Sequence, residues 1–210
     1  MEQNISEIRN WLGAGSINIF GLPFSGKDTV GIRLAENLGA KFLSSGIIMR
    51  AAAESDSELA KEMNAGLLAT SQKFIDVVTP YLHRPELKKS ALVLSSVGRW
   101  SGEELAIIDN CKSSGHPIKA VILLNISVSE AKNRWFAAKT LMDRGKRVDD
   151  KDALVLDQRI NEFIAKTMPV IETYQKRGLL IPIQATGERE AVYQLIVEKL
   201  AEFARSHPND

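Results

Sequence analysis

The sequence is poor in the features that would place it outside the ordinary globular proteins. A single cysteine, Cys111, excludes an intramolecular disulfide and a zinc site built from several cysteines. No apolar run approaches the roughly 20 residues that cross a membrane, and the opening residues lack the basic and apolar segments of a secretory signal. The formal net charge of +1 disfavours non-specific binding to nucleic acid. We therefore expect a cytoplasmic protein with neither membrane nor nucleic-acid partners.

The composition that remains is typical of a folded domain. Of 210 residues, 44% are hydrophobic and 25% are charged. At about 150 residues per domain, this length predicts one domain that carries inserts. A chain of this size buries about 70% of the surface that its unfolded form exposes, so it needs no structural metal to fold.

Short apolar runs alternate with helical patterns along the chain. Strands are predicted at 16–22, 41–43, 91–95, 119–126 and 179–184. Helices are predicted at 3–12, 27–38, 102–112, 129–140, 152–177 and 189–205, and as about three segments within 46–84, broken near Ser55 and Gly66. The strands are continuously apolar, which is typical of a parallel sheet covered by helices on both faces. The pattern therefore predicts the α/β class.

Residues 21–27, Gly-Leu-Pro-Phe-Ser-Gly-Lys, fit the pattern G-x-x-x-x-G-K between the first predicted strand and the first long helix. Gly21 and Gly26 allow backbone N–H groups to point at phosphate oxygens. The helix N-terminus adds partial positive charge, and Lys27 can reach the β- and γ-phosphates of ATP. We predict an ATP-binding phosphate loop that also includes Ser25 and Thr29.

Asp28 departs from the usual form of this loop, which has Ser or Thr after the lysine. A carboxylate beside a triphosphate is repulsive unless a cation lies between them. Asp28 is therefore either an acidic residue favoured in the first helical turn or a group that helps to hold Mg²⁺. The hydroxyl of the motif arrives one position later, at Thr29.

With this loop placed, the chain resembles the adenylate kinase family of nucleoside-monophosphate kinases from about Ile17 to Phe203. The family patterns GxPGSGKGT, LSTGDLLR, LLDGFPRT, GRxDD and T-x-PVI-x-x-Y correspond in order to 21–29, 43–50, 93–100, 146–150 and 167–174. The resemblance implies a five-stranded parallel sheet of the P-loop NTPase type in a single kinase domain spanning 1–210. Its core would comprise 14–45, 85–136 and 151–206, with a helical monophosphate-binding insert at about 46–84 and a short lid at about 137–150.

The resemblance also implies roles for particular residues. Ser45, Gly46, Arg50 and Arg99 would bind the acceptor monophosphate. Cations on the lid side would bind the donor phosphates while Lys27 follows the moving γ-phosphoryl group. These lid-side cations are Arg134, Arg147 and Arg159. Arginine suits such work because its planar fork grips phosphate and stays charged.

Two aspartates of the family motifs are missing. Ile47 and Ser95 stand where the family uses acid to organise metal-bound water. Mg²⁺ is the expected cofactor, and it is normally held by few protein ligands together with phosphates and water. We hypothesise that the acidic role has moved to Asp28.

Glu103 occupies the position of a family glutamine that reads the acceptor adenine. A carboxylate only accepts hydrogen bonds. It could take the adenine amino proton, but it suits the adjacent N–H and NH₂ donors of guanine better. Alternatively, Glu103 is an exposed residue in the first turn of its helix, favoured by the helix dipole.

The expected function is reversible phosphoryl transfer from ATP to a nucleoside monophosphate, with AMP first among the acceptors, by a monomer. A nucleotide-binding sensor with little turnover is the main alternative, since the two family aspartates are missing. The arginine set favours the enzyme, because a binder has no need of five converging cations. A kinase for GMP or another monophosphate, or for a small molecule that is not a nucleotide, also remains open.

Overall fold

A computed structural model gives the fold and describes residues 1–140 and 152–208. Its five strands are β1 (Ser16–Gly21), β2 (Lys41–Ser44), β3 (Leu92–Ser95), β4 (Ile118–Asn125) and β5 (Leu180–Gln184). They form one sheet in the order β2-β3-β1-β4-β5, and every neighbouring pair is parallel. The predicted five-stranded parallel sheet is therefore confirmed.

Helices connect the strands and extend beyond them. The helices are α1 (Glu2–Leu12), α2 (Lys27–Leu38), α3 (Ser45–Ala53), α4 (Ser57–Asn64), α5 (Ser71–Leu82), α6 (Glu103–Ser113), α7 (Val128–Thr140), α8 (Ala153–Glu162), α9 (Met168–Lys176) and α10 (Arg189–Ser206). Polar side chains begin several of them, because a side-chain oxygen can accept from a backbone N–H of the first turn. Asp56 accepts from Leu59 N at 3.0 Å before α4, and Asp152 accepts from Leu154 N at 2.9 Å before α8.

Both faces of the sheet are buried under helices. Successive residues of a strand point to opposite faces, and β4 shows the result. Ile122 belongs to the core cluster that includes Ile196 of α10, whereas Leu123 packs in the cluster that includes Tyr174 of α9. The expected coverage of both faces is therefore confirmed.

The first helix fastens the beginning of the described chain to its end. Ile8 of α1 is fully buried in the core cluster shared with α10. Trp11 donates its indole N–H to the carbonyl oxygen of His207 at 2.7 Å, and Lys119 donates to the carbonyl oxygen of Trp11 at 2.7 Å. Helix α1 therefore packs mainly against α10 and α2.

The helix predicted over 152–177 is helical from Ala153 to Lys176, but it is not a regular α-helix throughout. A five-residue π-helical turn, Phe163–Thr167, separates α8 from α9. Pro169 follows closely and has no N–H to donate to the carbonyl four residues earlier, so the regular helical ladder is interrupted there. Phe163 and Thr167 of this widened turn both line the cavity described below.

Among the residues that the structure describes, no helix combines the length and apolar character that crossing a membrane requires.

Candidate active site

A cavity lies at the carboxyl ends of β1, β2 and β3, where parallel α/β sheets usually bind ligands. It encloses about 1160 Å³ of space, part of it open to solvent. Its walls come from the loop after β1, the segment 44–74, the loop after β3, and α8 with the turn that follows it.

Most of the predicted site residues meet in this cavity. Those that line it are Gly21, Gly26, Lys27, Asp28, Ser45, Gly46, Arg50, Arg99, Glu103 and Arg159. Ser25 is buried beneath the loop and Thr29 is exposed, and neither lines the cavity. Arg147 falls outside the described residues, as does most of the lid predicted at about 137–150.

The backbone of the phosphate loop requires its glycines. A Cβ on Gly21 would lie only 2.5 Å from Ser25 Oγ, and Gly26 has a φ of 89°, in the left-handed region. Phe24 also has a positive φ, of 65°, which is uncommon for a bulky residue and costs energy. The loop is thus held in a strained curl at the N-terminus of α2, the arrangement that presents N–H groups to an anion.

Asp28 reaches across to the neighbouring strand. Its Oδ1 accepts a hydrogen bond of 2.5 Å from Oγ of Ser95, the last residue of β3, and Ser95 is buried. The carboxylate therefore lies at the end of β3, although the sequence has no acid there. Ile47, at the other position of a missing aspartate, is 49% exposed and does not line the cavity.

A second contact joins the start of α3 to the loop after β3. Ser45 Oγ donates to the carbonyl oxygen of Ser96 at 2.7 Å and accepts from Arg99 Nη2 at 3.1 Å. The Arg99 guanidinium is thereby directed toward the same end of the sheet as the phosphate loop.

Three arginines from different elements converge on the cavity: Arg50 on α3, Arg99 after β3, and Arg159 on α8. Burial and, to a smaller extent, the positive charge of Arg159 lower the pKa of Arg99 to about 10, while Glu103 and Asp28 act in the opposite direction. All three guanidinium groups are charged at neutral pH. Crowding of like charges is relieved when an anion binds between them, so the arrangement suits phosphate.

Glu103 is buried, with 2% of its surface exposed, so the interpretation of an exposed first-turn residue is wrong. Its Oε2 accepts from Arg99 N at 2.7 Å and from Trp100 N at 3.0 Å. Burial raises the pKa of the Glu103 carboxyl, while these two backbone N–H groups act in the opposite direction. Glu103 therefore holds the loop that carries Arg99, in addition to lining the cavity.

The far wall contains residues that the sequence did not single out. Glu162 of α8, which is 8% exposed, accepts from Leu68 N at 3.1 Å and from Lys166 Nζ at 2.6 Å. A Cβ on Gly66 would lie 2.8 Å from the carbonyl oxygen of Val155, so this backbone also approaches α8 closely. The four-residue spacing of Glu162 and Lys166 indicates a pair on one helix face, but nothing local signals the contact with Leu68.

Arg134 lies away from the cavity. Its Nε donates to Glu130 Oε1 at 2.7 Å, and its Nη2 donates to the carbonyl oxygen of Ala185 at 2.8 Å, just after β5. Arg134 therefore lies on the β5 side of the sheet, and it is not among the residues that line the cavity.

Comparisons with known proteins agree with the fold and with these motifs. The family model described as adenylate kinase matches residues 19–179. An adenylate kinase of Synechococcus sp. (strain CC9902) is 30% identical over 184 residues, which are 86% of this chain and 95% of that protein. An adenylate kinase of Stenotrophomonas maltophilia (strain R551-3) is 28% identical over 178 residues, which are 83% of this chain and 92% of that protein. The chain therefore belongs to the adenylate kinase family and is a phosphotransferase.

Proposed function

We propose that the protein transfers the γ-phosphoryl group of ATP reversibly to AMP. The observation that carries the proposal is the convergence of a phosphate loop with its lysine and three arginines on one cavity. The phosphate loop suits a donor triphosphate, and the relatives named above are adenylate kinases.

Phosphoryl transfer asks the protein mainly to align two nucleotides, to neutralise the phosphate oxygens and to exclude water. Lys27 and the loop N–H groups would bind the donor phosphates. Arg50 and Arg99, on the α3 side, would bind the acceptor phosphate, and Arg159 faces both from α8. Arg134 and Arg147 would also bind the donor phosphates, as the resemblance implies.

The contact between the segment 66–69 and α8 would keep water away from the reacting groups. Leu68 N binds Glu162, and the apolar side chains of Leu68, Met63 and Phe163 line the same cavity. In such a space the γ-phosphorus would be attacked by an oxygen of the acceptor phosphate and not by water.

The Glu103 contacts support AMP rather than GMP as the acceptor. The backbone N–H groups of Arg99 and Trp100 both bond to Oε2, so at most Oε1 is left for a base. Guanine presents adjacent N–H and NH₂ donors that a carboxylate grips best with both oxygens. The single amino group of adenine needs only one acceptor.

Mg²⁺ is proposed as the cofactor that accompanies ATP. In residues 1–140 and 152–208, no group of three or more His, Cys, Asp or Glu side chains could hold a metal ion on its own. Asp28 lines the cavity beside Lys27, and one such carboxylate fits Mg²⁺, which is usually held by one or two carboxylates together with substrate phosphates and water. Asp28 would supply the carboxylate, and the bound ion would neutralise charge on the β- and γ-phosphates.

The main rival is a nucleotide-binding sensor with little turnover. The missing acids at Ile47 and Ser95 favour it, but the carboxylate of Asp28 at the end of β3 weakens that argument. A coupled assay with ATP and each of AMP, GMP, CMP, UMP and dTMP, with and without Mg²⁺, tests both. We expect turnover with AMP that requires Mg²⁺. Clear ATP binding without turnover on any acceptor would show that the sensor is correct.

A monomer in the cytoplasm belongs to the same proposal. The resemblance to the small members of the adenylate kinase family supports the monomer. The resemblance to the adenylate kinase family and the proposed substrates, ATP and AMP, support the cytoplasmic location. Sedimentation of the active protein at the mass of one chain, 23.2 kDa, tests the monomer.

A further inference from the structure

We infer that this chain has moved its metal-organising carboxylate from the end of β3 to the first turn of α2, where Ser95 holds Asp28 in position. The inference rests on the proposed function and assigns a particular pair of residues to the metal-bound donor.

The sheet topology places the two residues side by side. Strands β1 and β3 are parallel neighbours, with Ile19 opposite Ser95. The phosphate loop leaves β1 two residues later, so the first turn of α2 returns beside the end of β3. Asp28 and Ser95 line the same cavity as Lys27.

The hydrogen bond between them has a defined direction. An ionised carboxylate has no proton to give, so Ser95 Oγ donates and Asp28 Oδ1 accepts, at 2.5 Å. Such charge-assisted bonds between a hydroxyl and a carboxylate are short and strong. Because Ser95 is 1% exposed at the end of a strand, its hydroxyl is a rigid anchor for a side chain on a helix.

The pairing also explains why residue 95 is not itself acidic. A carboxylate at residue 95 would lie within hydrogen-bond distance of Asp28, and two like charges that close cannot both ionise readily. One carboxylate and one hydroxyl therefore suit the two positions together. Moving the acid to 28 and placing a serine at 95 leaves one negative charge at the end of β3.

A purely helical role for Asp28 does not account for this geometry. An acid in the first turn gains from the helix dipole wherever it points. The bond to Ser95 instead directs the side chain toward the end of β3, at the cavity that Lys27 also lines. There it could bind Mg²⁺ or a water of its shell, and without a cation it would repel ATP.

The decisive measurement is the binding of ATP with and without Mg²⁺, by titration calorimetry on the full chain. We expect D28N to bind metal-free ATP as tightly as the unaltered protein, or more tightly, because a repulsive charge is gone. Its affinity for ATP in the presence of Mg²⁺ should fall by about 10-fold, the lower end of effects for groups that orient metal ligands. A variant that is simply misfolded would lose both affinities.

Two further variants test the role of Ser95 and the relocation. S95A should reduce the gain in affinity from Mg²⁺ by less than D28N does, because the carboxylate remains but is no longer oriented. D28G/S95D, which returns the acid to the end of β3, should recover most of the gain. The control is D76N, since Asp76 is a carboxylate on α5 whose side chain binds Gln72 on an exposed surface; it should leave the gain unchanged.

Equal gains from Mg²⁺ in D28N and in the unaltered protein would overturn the inference even if AMP is phosphorylated normally. A folded D28G/S95D that recovers nothing would overturn the relocation, and if it does not fold, an unchanged gain in S95A would do so. Conversely, loss of the gain in D28N with no turnover on AMP would leave the inference standing and refute the proposed acceptor.

Discussion

Replacing Glu103 with alanine should destabilise the protein and displace the acceptor arginine at the same time. The carboxylate is buried and accepts the backbone N–H groups of Arg99 and Trp100. Alanine would leave both donors without their partner, in a loop whose conformation decides where Arg99 points.

The magnitude follows from those two bonds. A buried donor left unsatisfied costs about 1–3 kcal/mol, so two donors cost about 2–6 kcal/mol in total. The raised pKa of Glu103 shows that its charge is itself unfavourable where it lies, which offsets part of this cost. We expect a net loss of about 3 kcal/mol, and at roughly 2–4 °C per kcal/mol for a chain of this size the Tm should fall by about 6–12 °C.

Glutamine at 103 separates the hydrogen bonds from the charge. Its carbonyl oxygen can still accept both N–H groups, so E103Q should unfold within about 1 kcal/mol of the unaltered protein at pH 7. A carboxyl whose pKa is raised in the fold binds a proton more readily there than in the unfolded chain. Its contribution to stability therefore falls as pH rises from the ordinary value of 4.5 through the raised folded pKa, and E103Q should lack that fall.

Thermal unfolding by circular dichroism and kcat/KM for AMP are the two measurements. We expect E103A to lower kcat/KM for AMP by about 10²-fold, since a displacement of about 1 Å at a reacting centre has effects of that size. The control is E190A, because Glu190 also accepts from an arginine, Arg33, but on the surface, where such pairs contribute about 0–1 kcal/mol. If E103A is no less stable than E190A, the carboxylate does not hold this loop.

Two other predictions concern the arginine cluster and the first helix. The kcat/KM for AMP should fall above pH about 10 as Arg99 loses its proton. R159Q should move this fall to higher pH, because Arg159 lowers the pKa of Arg99. A pH profile whose basic limb stays in place in R159Q would contradict the assignment. I8A should lower the free energy of unfolding by about 3 kcal/mol, since Ile8 is fully buried between α1 and the core. Denaturant unfolding measures this loss, and a value below about 1 kcal/mol would mean that α1 is not packed as described.

The sheet and the phosphate loop could be predicted because their signals are local. A run such as Ser16–Gly21 is recognisable from its own residues, and the loop depends on glycines within a few positions of Lys27. Glu103 is an example of what local signals cannot predict. Its place in the first turn of α6 could be predicted, but its burial is decided by the loop that folds over it.

Contacts between distant parts of the chain could not be predicted in the same way. Asp28 and Ser95 are 67 positions apart, and Leu68 and Glu162 are 94 apart. Nothing in either neighbourhood specifies the partner, which is chosen by the strand order. The turn at Phe163–Thr167 was missed for a different reason, because π-helical turns are rare and occur inside otherwise ordinary α-helices.

The charges of the cavity act differently before and after nucleotides bind. Without nucleotides, Arg50, Arg99 and Arg159 repel one another, and Asp28 partly compensates, since its charge acts to raise the pKa of Arg99. With ATP bound, the same carboxylate faces phosphates and becomes repulsive unless a cation accompanies them. Asp28 would therefore stabilise the empty site and also select the metal-bound donor over free ATP. A neutral residue at 28 would do neither, so D28N should show a lower pKa for Arg99 as well as a smaller gain from Mg²⁺.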